Sequence, residues 1–312
     1  MEIEISEKYL PVYEALASKV RIKVIQLLAE KPMNIKELAQ AVGVSSAIMT
    51  MHVRKLENAG IIDAKMIPSR GGVQKVCVLN NDDILIRFPR GENEERLYHQ
   101  YTISVGHYTD FQVEPTCGLA TPEKVIGEFD DPQYFLAPER VEAKILWFNK
   151  GYVEYKVANR LLASQIPEEL EISLELSSEA PYANENWPSD ISFFLNGVHI
   201  GTWTSPGDFA DRKGRYSPDW WFPDINQYGL LKVIRINREG TFLDGNPLSD
   251  VTLDQVQIEQ KQWTFRVAVL DDAKHIGGAT LFGTGFGNYN QDIVMKLYYT
   301  EKKNKSEKAE KT

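Results

Sequence analysis

The chain has 312 residues, 43% of them hydrophobic, and a formal net charge of −9 at pH 7. No apolar run approaches the roughly 20 residues that a helix needs to cross a bilayer, which excludes a membrane-spanning helix. Only Cys77 and Cys117 are present, far apart and without metal-ligand spacing, which excludes a disulfide framework or a cysteine-bound metal.

Each cysteine is expected to be a small buried hydrophobe. The acidic start, Met1-Glu2-Ile3-Glu4-Ile5-Ser6, has no signal-peptide core, so a cytoplasmic protein without a membrane partner is expected. Charge is unevenly spread. Residues 1–80 carry 11 Lys+Arg and 8 Asp+Glu, a net of +3, which leaves −12 on the other 232. A basic head on an acidic body suits a polyanionic partner at the head. Length suggests two domains. The expected division is a head over 1–80, a linker over 81–93, a larger domain over 94–300 and a disordered charged tail over 301–312.

Tyr9 to Ala17 and Ser18 to Lys31 read as helices. Val20, Val24, Ile25, Leu27 and Leu28 give the second an apolar stripe, and Ser18 is placed to cap it. Asn34 opens a third helix with Glu37 three residues on, the pattern of a capping box. Leu38, Ala41 and Val42 supply its apolar face, and Gly43 ends it by taking a left-handed backbone cheaply. Ser45 caps a fourth helix, Ser46 to Asn58, about 20 Å long. Ile48, Met49, His52, Val53 and Leu56 fall mostly on its inner face. Ser46, Ala47, Thr50, Met51, Arg54 and Lys55 fall outside it. Helix, tight turn, second helix is how a chain lays one helix in the major groove of DNA. Ser46 and Thr50 are placed for base edges or phosphates, and Arg54 and Lys55 for phosphates.

Ile61–Ile67 and Val73–Leu79 flank a Pro/Gly turn and read as a hairpin, or wing, with Arg70 at its tip and Lys65 and Lys75 beside it. The expected DNA-facing set is Ser45, Ser46, Ala47, Thr50, Met51, Arg54, Lys55, Arg70 and Lys75. Residues 80–93 look like a boundary, although Ile84-Leu85-Ile86 has the character of a pairing strand.

Residues 12–79 resemble the winged-helix domain of the ArsR (arsenic-repressor) family. The likeness rests on the stretches 15–22 and 35–39, and on 44–62 with its Arg54-Lys55-Leu56-Glu57-Asn58-Ala59-Gly60 ending. It implies a homodimer on an inverted repeat of double-stranded DNA, held by terminal helices. Metal-sensing members carry Cys or His ligands in the helices. Here Ile35–Val42 has neither, so no metal and no cofactor is expected. Met51 stands where the family often has His.

From about residue 94 the texture changes. Short runs at 101–105, 143–148, 152–157, 170–176, 190–195, 230–236, 263–269 and 293–298 read as strands of an antiparallel β-sandwich of jelly-roll type. Gly151, Asn196-Gly197, Asp244-Gly245 and Gly277-Gly278 read as turns, and Asn196-Gly197 signals a hairpin. The fold class expected is therefore α+β and multidomain, a winged helix-turn-helix followed by the sandwich.

The densest polar-aromatic stretch runs from Trp187 to Gln227. Aromatic faces stack on sugar rings, and carboxylates, Arg and amides hydrogen-bond hydroxyls, as in any pocket where a few polar groups fix orientation. Trp187, Asp190, Trp203, Asp208, Arg212, Arg215, Asp219, Trp220, Trp221 and Gln227 are the expected effector-binding residues. The bland alternative is that the tryptophans fill a core and the Asp/Arg pairs staple a loop. Gly283-Thr284-Gly285-Phe286-Gly287 lacks the Lys-Ser/Thr of a phosphate loop and reads as a rim turn. His107 reads as structural.

Three functions fit. The favoured one is a non-enzymatic regulator that binds DNA and responds to a small polar effector, a saccharide by this composition. The others are a glycan-active enzyme using pairs among Asp190, Asp208, Asp211 and Asp219, and a scaffold that only dimerises the head.

Overall fold

The computed structural model describes residues 1–69, 72–80, 84–87 and 96–302. The chain divides into two compact units, Met1–Glu94 and Glu95–Thr312.

The first unit runs β1 (Glu2–Glu4), α1 (Leu10–Leu16), α2 (Lys19–Glu30), β2 (Met33–Asn34), α3 (Ile35–Val42), α4 (Ser46–Asn58), β3 (Ile62–Ser69), β4 (Gly72–Leu79) and β5 (Leu85–Arg87). The capping box forms as expected. Asn34 Oδ1 accepts from the backbone of Lys36 (2.9 Å) and Glu37 (3.0 Å), and Glu37 Oε2 accepts the Asn34 N–H (2.8 Å). Gly43 ends α3 at φ +80°, where a side chain would be strained. Ser18 sits at the start of α2 but makes no side-chain cap bond. The last carbonyls of α1 are met instead by buried Arg21, whose Nε donates to Ala15 O (2.7 Å) and Nη2 to Glu14 O (2.6 Å).

Antiparallel β2, β4 and β3 lie in that order, with Met33 opposite Cys77 and Ile62 opposite Leu79. Val24, Leu28, Leu38, Met49, Val53, Leu56, Ile62 and Cys77 form the core. Within the stretch expected as linker, β5 pairs in parallel with β1, and Ile84 and Ile86 pack on this core.

The second unit begins with β6 (Leu97–Ile103), β7 (Asp110–Ala120), β8 (Ile145–Ala158), β9 (Gln165–Ser177), β10 (Ser189–Leu195) and β11 (Val198–Ser205). It continues with β12 (Leu230–Ile236), β13 (Thr241–Leu243), β14 (Asn246–Ser249), β15 (Gln262–Val269), β16 (Ala279–Phe282) and β17 (Ile293–Glu301). All pairings are antiparallel. One face is β11-β10-β15-β8-β7 and the other is β6-β17-β9-β12-β13-β14. The short β16 joins them, pairing Leu281 with Leu146 of β8 on one side and Leu176 of β9 on the other. At the opposite edges Ser249 Oγ donates to Ile200 O (2.8 Å), so the sandwich is nearly a barrel.

The two hairpin turns have the chemistry their sequences demand. Asn196 and Gly197 take φ +51° and +78°, and Asp244 and Gly245 take +51° and +84°, as the favoured two-residue hairpin turn requires. Gly151 is a correction. It lies inside one long strand, β8, that fuses the expected runs at 143–148 and 152–157. Its φ is +109°, and a Cβ there would lie 1.9 Å from Gln112 O on β7. The glycine permits close strand approach, not a turn. Glu301, expected in the tail, belongs to β17; residues 303–312 lie outside those described.

Strand alternation explains the most apolar segment, Ile145–Phe148, which is buried on both faces. Leu146 and Phe148 enter the main core between the two faces, with Phe193, Phe265, Trp263, Ile172 and Leu297. Ile145 and Trp147 point the other way and build a second core with Ala120, Trp221, Phe282 and Phe286. That second core is what the tryptophan-rich loop covers.

Gly151→Ala should destabilise the second unit by at least about 2 kcal/mol in urea unfolding, through backbone strain plus the clash with Gln112. A loss below about 0.5 kcal/mol, the scale of an ordinary surface change, would contradict this account of β8.

Candidate functional site

The head presents one clear surface. Burial of Met49, Val53 and Leu56 fixes the rotation of α4. Helical spacing then turns Ser46, Ala47, Thr50, Met51, Arg54 and Lys55 to solvent, and all six are exposed. Ser45 Oγ is occupied as the cap, accepting the Ile48 N–H (3.3 Å). Thr50 Oγ1 donates to Ser46 O (2.7 Å). Ile48 corrects the sequence expectation, for it lies past the edge of the buried stripe and is 46% exposed.

His52 is half-buried, with Nδ1 facing Arg21 Nη1 at 3.4 Å. Burial first, then the charges of Arg21 and Lys55, hold its pKa below the ordinary histidine value. It adds no positive charge to this surface near neutral pH. Lys75 is not a loose wing lysine. Its Nζ donates to Glu57 Oε2 (2.7 Å), which braces β4 against α4. Arg70 lies outside the described residues.

In the second unit, the expected effector residues separate into three kinds. Trp221, Asp208 and Gln227 are buried in the fold. Trp221 packs edge-on against Trp147 and Phe286, and its Nε1 donates to Asn226 O (3.2 Å). Gln227 donates to the carbonyls of Phe222 (2.6 Å) and Ile225 (2.9 Å) and accepts the Gly214 N–H (3.3 Å). For these three the loop uses side chains to hold itself together, so the composition that suggested a pocket partly describes packing.

Asp190 and Trp203 are braces at the β10–β11 end. Asp190 accepts from Thr204 Oγ1 (2.7 Å) and the His275 backbone (3.0 Å). Partial burial works to raise its pKa, but those bonds and the charge of His275 outweigh it and hold the carboxyl low. Trp203 packs on the main core with Lys232 Nζ 4.6 Å from its ring centre. Trp187 is half-buried, and its Nε1 is buried without a protein partner.

Arg212, Arg215, Asp219 and Trp220 reach solvent. Arg212 lies over the Tyr228 ring (5.1 Å), Arg215 over Tyr216 (5.4 Å), and Asp219 is paired with Lys213. Asp211 accepts from Tyr228 Oη and lines an open recess of about 420 Å³ with Asn184, Glu185 and Asn186. Each of the four loop aspartates is thus held in place by a different partner or by burial.

The structure adds two rings that sequence reading missed. Trp220 (37% exposed), Phe222 (47%) and Phe129 (42%) form one aromatic surface over the second core. Phe129 contacts Phe222 (5.6 Å) and Trp147 (5.4 Å), and Trp221 touches both Trp220 (5.6 Å) and Phe222 (6.0 Å). Trp220 Nε1 donates to Pro122 O, which fixes the ring. Phe222, beside Trp221, was within reach of the composition signal. Phe129 arrives from a distant turn and carries no local signal.

Three buried carboxyls shape the same end of the domain. Glu175 accepts from the backbones of Gly229 (2.9 Å), Asn288 (2.8 Å) and Tyr289 (3.1 Å), so it ties the start of β12 to the residues that follow the Gly283–Gly287 turn. Burial nevertheless pushes Glu175 up to about 7. Glu179 is raised by burial and by the neighbouring Asp208 charge, and it accepts from Asn226 and Thr280. Burial pushes Asp208 up to about 7, and its Oδ1 has no protein partner. Burial also raises the thiols, Cys77 to about 11 and Cys117 to about 12, which makes both inert. Among the described residues no group of three His, Cys, Asp or Glu could hold a metal ion.

The first unit is a winged helix-turn-helix in element order, capping and sheet. The family described as "Bacterial regulatory protein, arsR family" matches residues 18–64, and those residues form an ArsR-family helix-turn-helix domain. An uncharacterized HTH-type transcriptional regulator of Methanocaldococcus jannaschii is 35% identical over 54 residues, 17% of this chain and 57% of the relative. The chain thus spans just over half the length of that curated relative. A homodimeric winged helix-turn-helix DNA-binding domain from Mycobacterium bovis, a possible ArsR-family regulator, overlaps 23% of this chain and 63% of its own, at 22% identity and TM-score 0.21. The CBM36-1 domain of a multidomain xylanase from the hindgut metagenome of Trinervitermes trinervoides overlaps 64% of this chain and 96% of its own, at 8% identity and TM-score 0.29.

The raised acids give a signed pH dependence. Asp208 binds its proton more tightly folded (about 7) than at its ordinary value of 3.8, so the folded chain holds more protons between those limits. Stability should therefore fall as pH rises from about 4 to about 7, and Asp208→Asn should flatten that fall in thermal melts. An equal fall in the variant would contradict the assignment.

Proposed function

We propose that this protein is a DNA-binding transcriptional regulator. Its head docks on double-stranded DNA as a homodimer at an inverted repeat, and its C-terminal domain binds a small polar effector of the saccharide class. The observation that carries the DNA reading is the outward row of α4, held by three buried residues inside a segment that matches the ArsR family. Arg54 and Lys55 supply phosphate contacts, and Ser46 and Thr50 supply polar contacts near the helix start. Exposed Ile5, Leu10 and Ile22 near the first two helices support self-association of the head.

The effector reading is supported by the aromatic surface of Phe129, Trp220 and Phe222. Ring faces held by packing offer a stacking platform at low entropy cost. Asp211, from the loop that carries Trp220 and Phe222, lines a recess with Asn184, Glu185 and Asn186 of the β9–β10 connection, and their polar groups suit hydroxyls. Commitment of the loop aspartates to separate structural partners favours binding over an acid–base pair. Effector binding need change DNA affinity by only about 1–3 kcal/mol to regulate.

Arg54→Ala should weaken binding to a fragment from the protein's own upstream region, and lower the slope of log K against log salt by about 0.9, as loss of one phosphate contact requires. Unchanged affinity and slope in fluorescence anisotropy would remove Arg54 from the interface. Trp220→Ala should abolish the thermal shift produced by an effector found in a carbohydrate panel, with operator affinity intact. A full shift in that variant would exclude the aromatic surface as the effector site.

A further inference from the structure

The outward row of α4 has an unusual chemistry for a DNA reader. Its longest exposed side chains in the first two turns are apolar: Ile48 is 46% and Met51 67% exposed, with Ala47 exposed one turn before Met51. Residues three and four apart on a helix are surface neighbours, so Ala47, Ile48 and Met51 make one patch. Between Ser46 and His52 there is no Arg, Lys, Asn or Gln, the side chains that read guanine or adenine through paired hydrogen bonds. His52 is half-buried against Arg21. Thr50 commits its hydroxyl proton to Ser46 O (2.7 Å), so toward a base it offers an acceptor oxygen or its methyl group. Arg54 and Lys55 follow one turn later and are exposed, which suits a phosphate backbone on either side of the patch.

The major groove presents one apolar feature, the C5 methyl group of thymine. We infer that Met51, with Ile48 and Ala47, reads thymine methyl groups, so that the head selects half-sites with thymines at the bases its recognition helix faces. This inference rests on the DNA-binding reading and names what that surface recognises. It also makes Met51 a specificity residue: a flexible apolar chain packs on a methyl group where a histidine would offer a hydrogen bond.

The test uses the full chain and a randomised duplex library. Retained duplexes are sequenced, and the best is resynthesised with deoxyuridine in place of thymidine, which removes the methyl groups and keeps every hydrogen-bonding edge. The expected result is retained duplexes with recurrent thymines in each half-site, and about fourfold weaker binding per contacted methyl lost, the scale of one buried carbon. Met51→Ala should still bind the thymidine duplex but show little of the deoxyuridine penalty. Met51 is exposed, so the variant is expected to fold, and a melting curve checks that. Equal binding of the two duplexes by the native chain overturns the inference and leaves the DNA reading standing. An undiminished penalty in Met51→Ala also overturns it, since Met51 then reads none of the methyl groups. A library that yields no retained duplex overturns the DNA reading, and the inference with it.

Discussion

Burial of a few side chains decides what every neighbouring residue can do. In α4 the anchors are Met49, Val53 and Leu56, and a period of 3.6 residues leaves no freedom over which side faces outward. In β8 the anchors are Leu146 and Phe148, and a period of 2 sends Ile145 and Trp147 to the opposite face. Both candidate surfaces are the far sides of those anchored elements. The head surface is direct, being the exposed row of one helix. The C-terminal surface is indirect: Trp147 needs a cover, Trp221 supplies it, and Trp220, Phe222 and Phe129 form the rim of that cover.

The cover is a long connection, and its backbone has few ladder bonds to hold it. Buried polar side chains hold it instead. Gln227 binds two carbonyls and an amide, Glu175 collects three backbone amides, and Asn226 donates to Glu179 and Thr280. Such groups are costly to bury unless satisfied, and most of them are. Asp208 Oδ1 is the exception in this connection. A loop built in this way presents rings in fixed positions, which a binding platform requires.

The head was legible because its signals are local. Asn34 with Glu37, Gly43, Ser45 and the 49–53–56 stripe each act within one or two helical turns. The strands of the second unit were legible where alternation or an Asn-Gly or Asp-Gly pair marked them. Three things were not. Gly151 has the same local signature in a turn as in a strand that needs a missing Cβ, and only β7 decides between them. The short strand β16 (Ala279–Phe282) is buried throughout, so no polar alternation marks it. Phe129 joins Phe222 through the tertiary fold alone. Composition singled out the tryptophan-rich loop but could not separate Trp221, which packs, from Trp220, which faces solvent, although the two are adjacent.

The central claim is that the outward row of α4 docks on a duplex. It is tested most directly by titrating a labelled upstream fragment with the full chain at about 50 and about 200 mM salt, following anisotropy. The account predicts saturable binding that weakens steeply as salt rises. No binding at the lower concentration, or binding indifferent to salt, would contradict it.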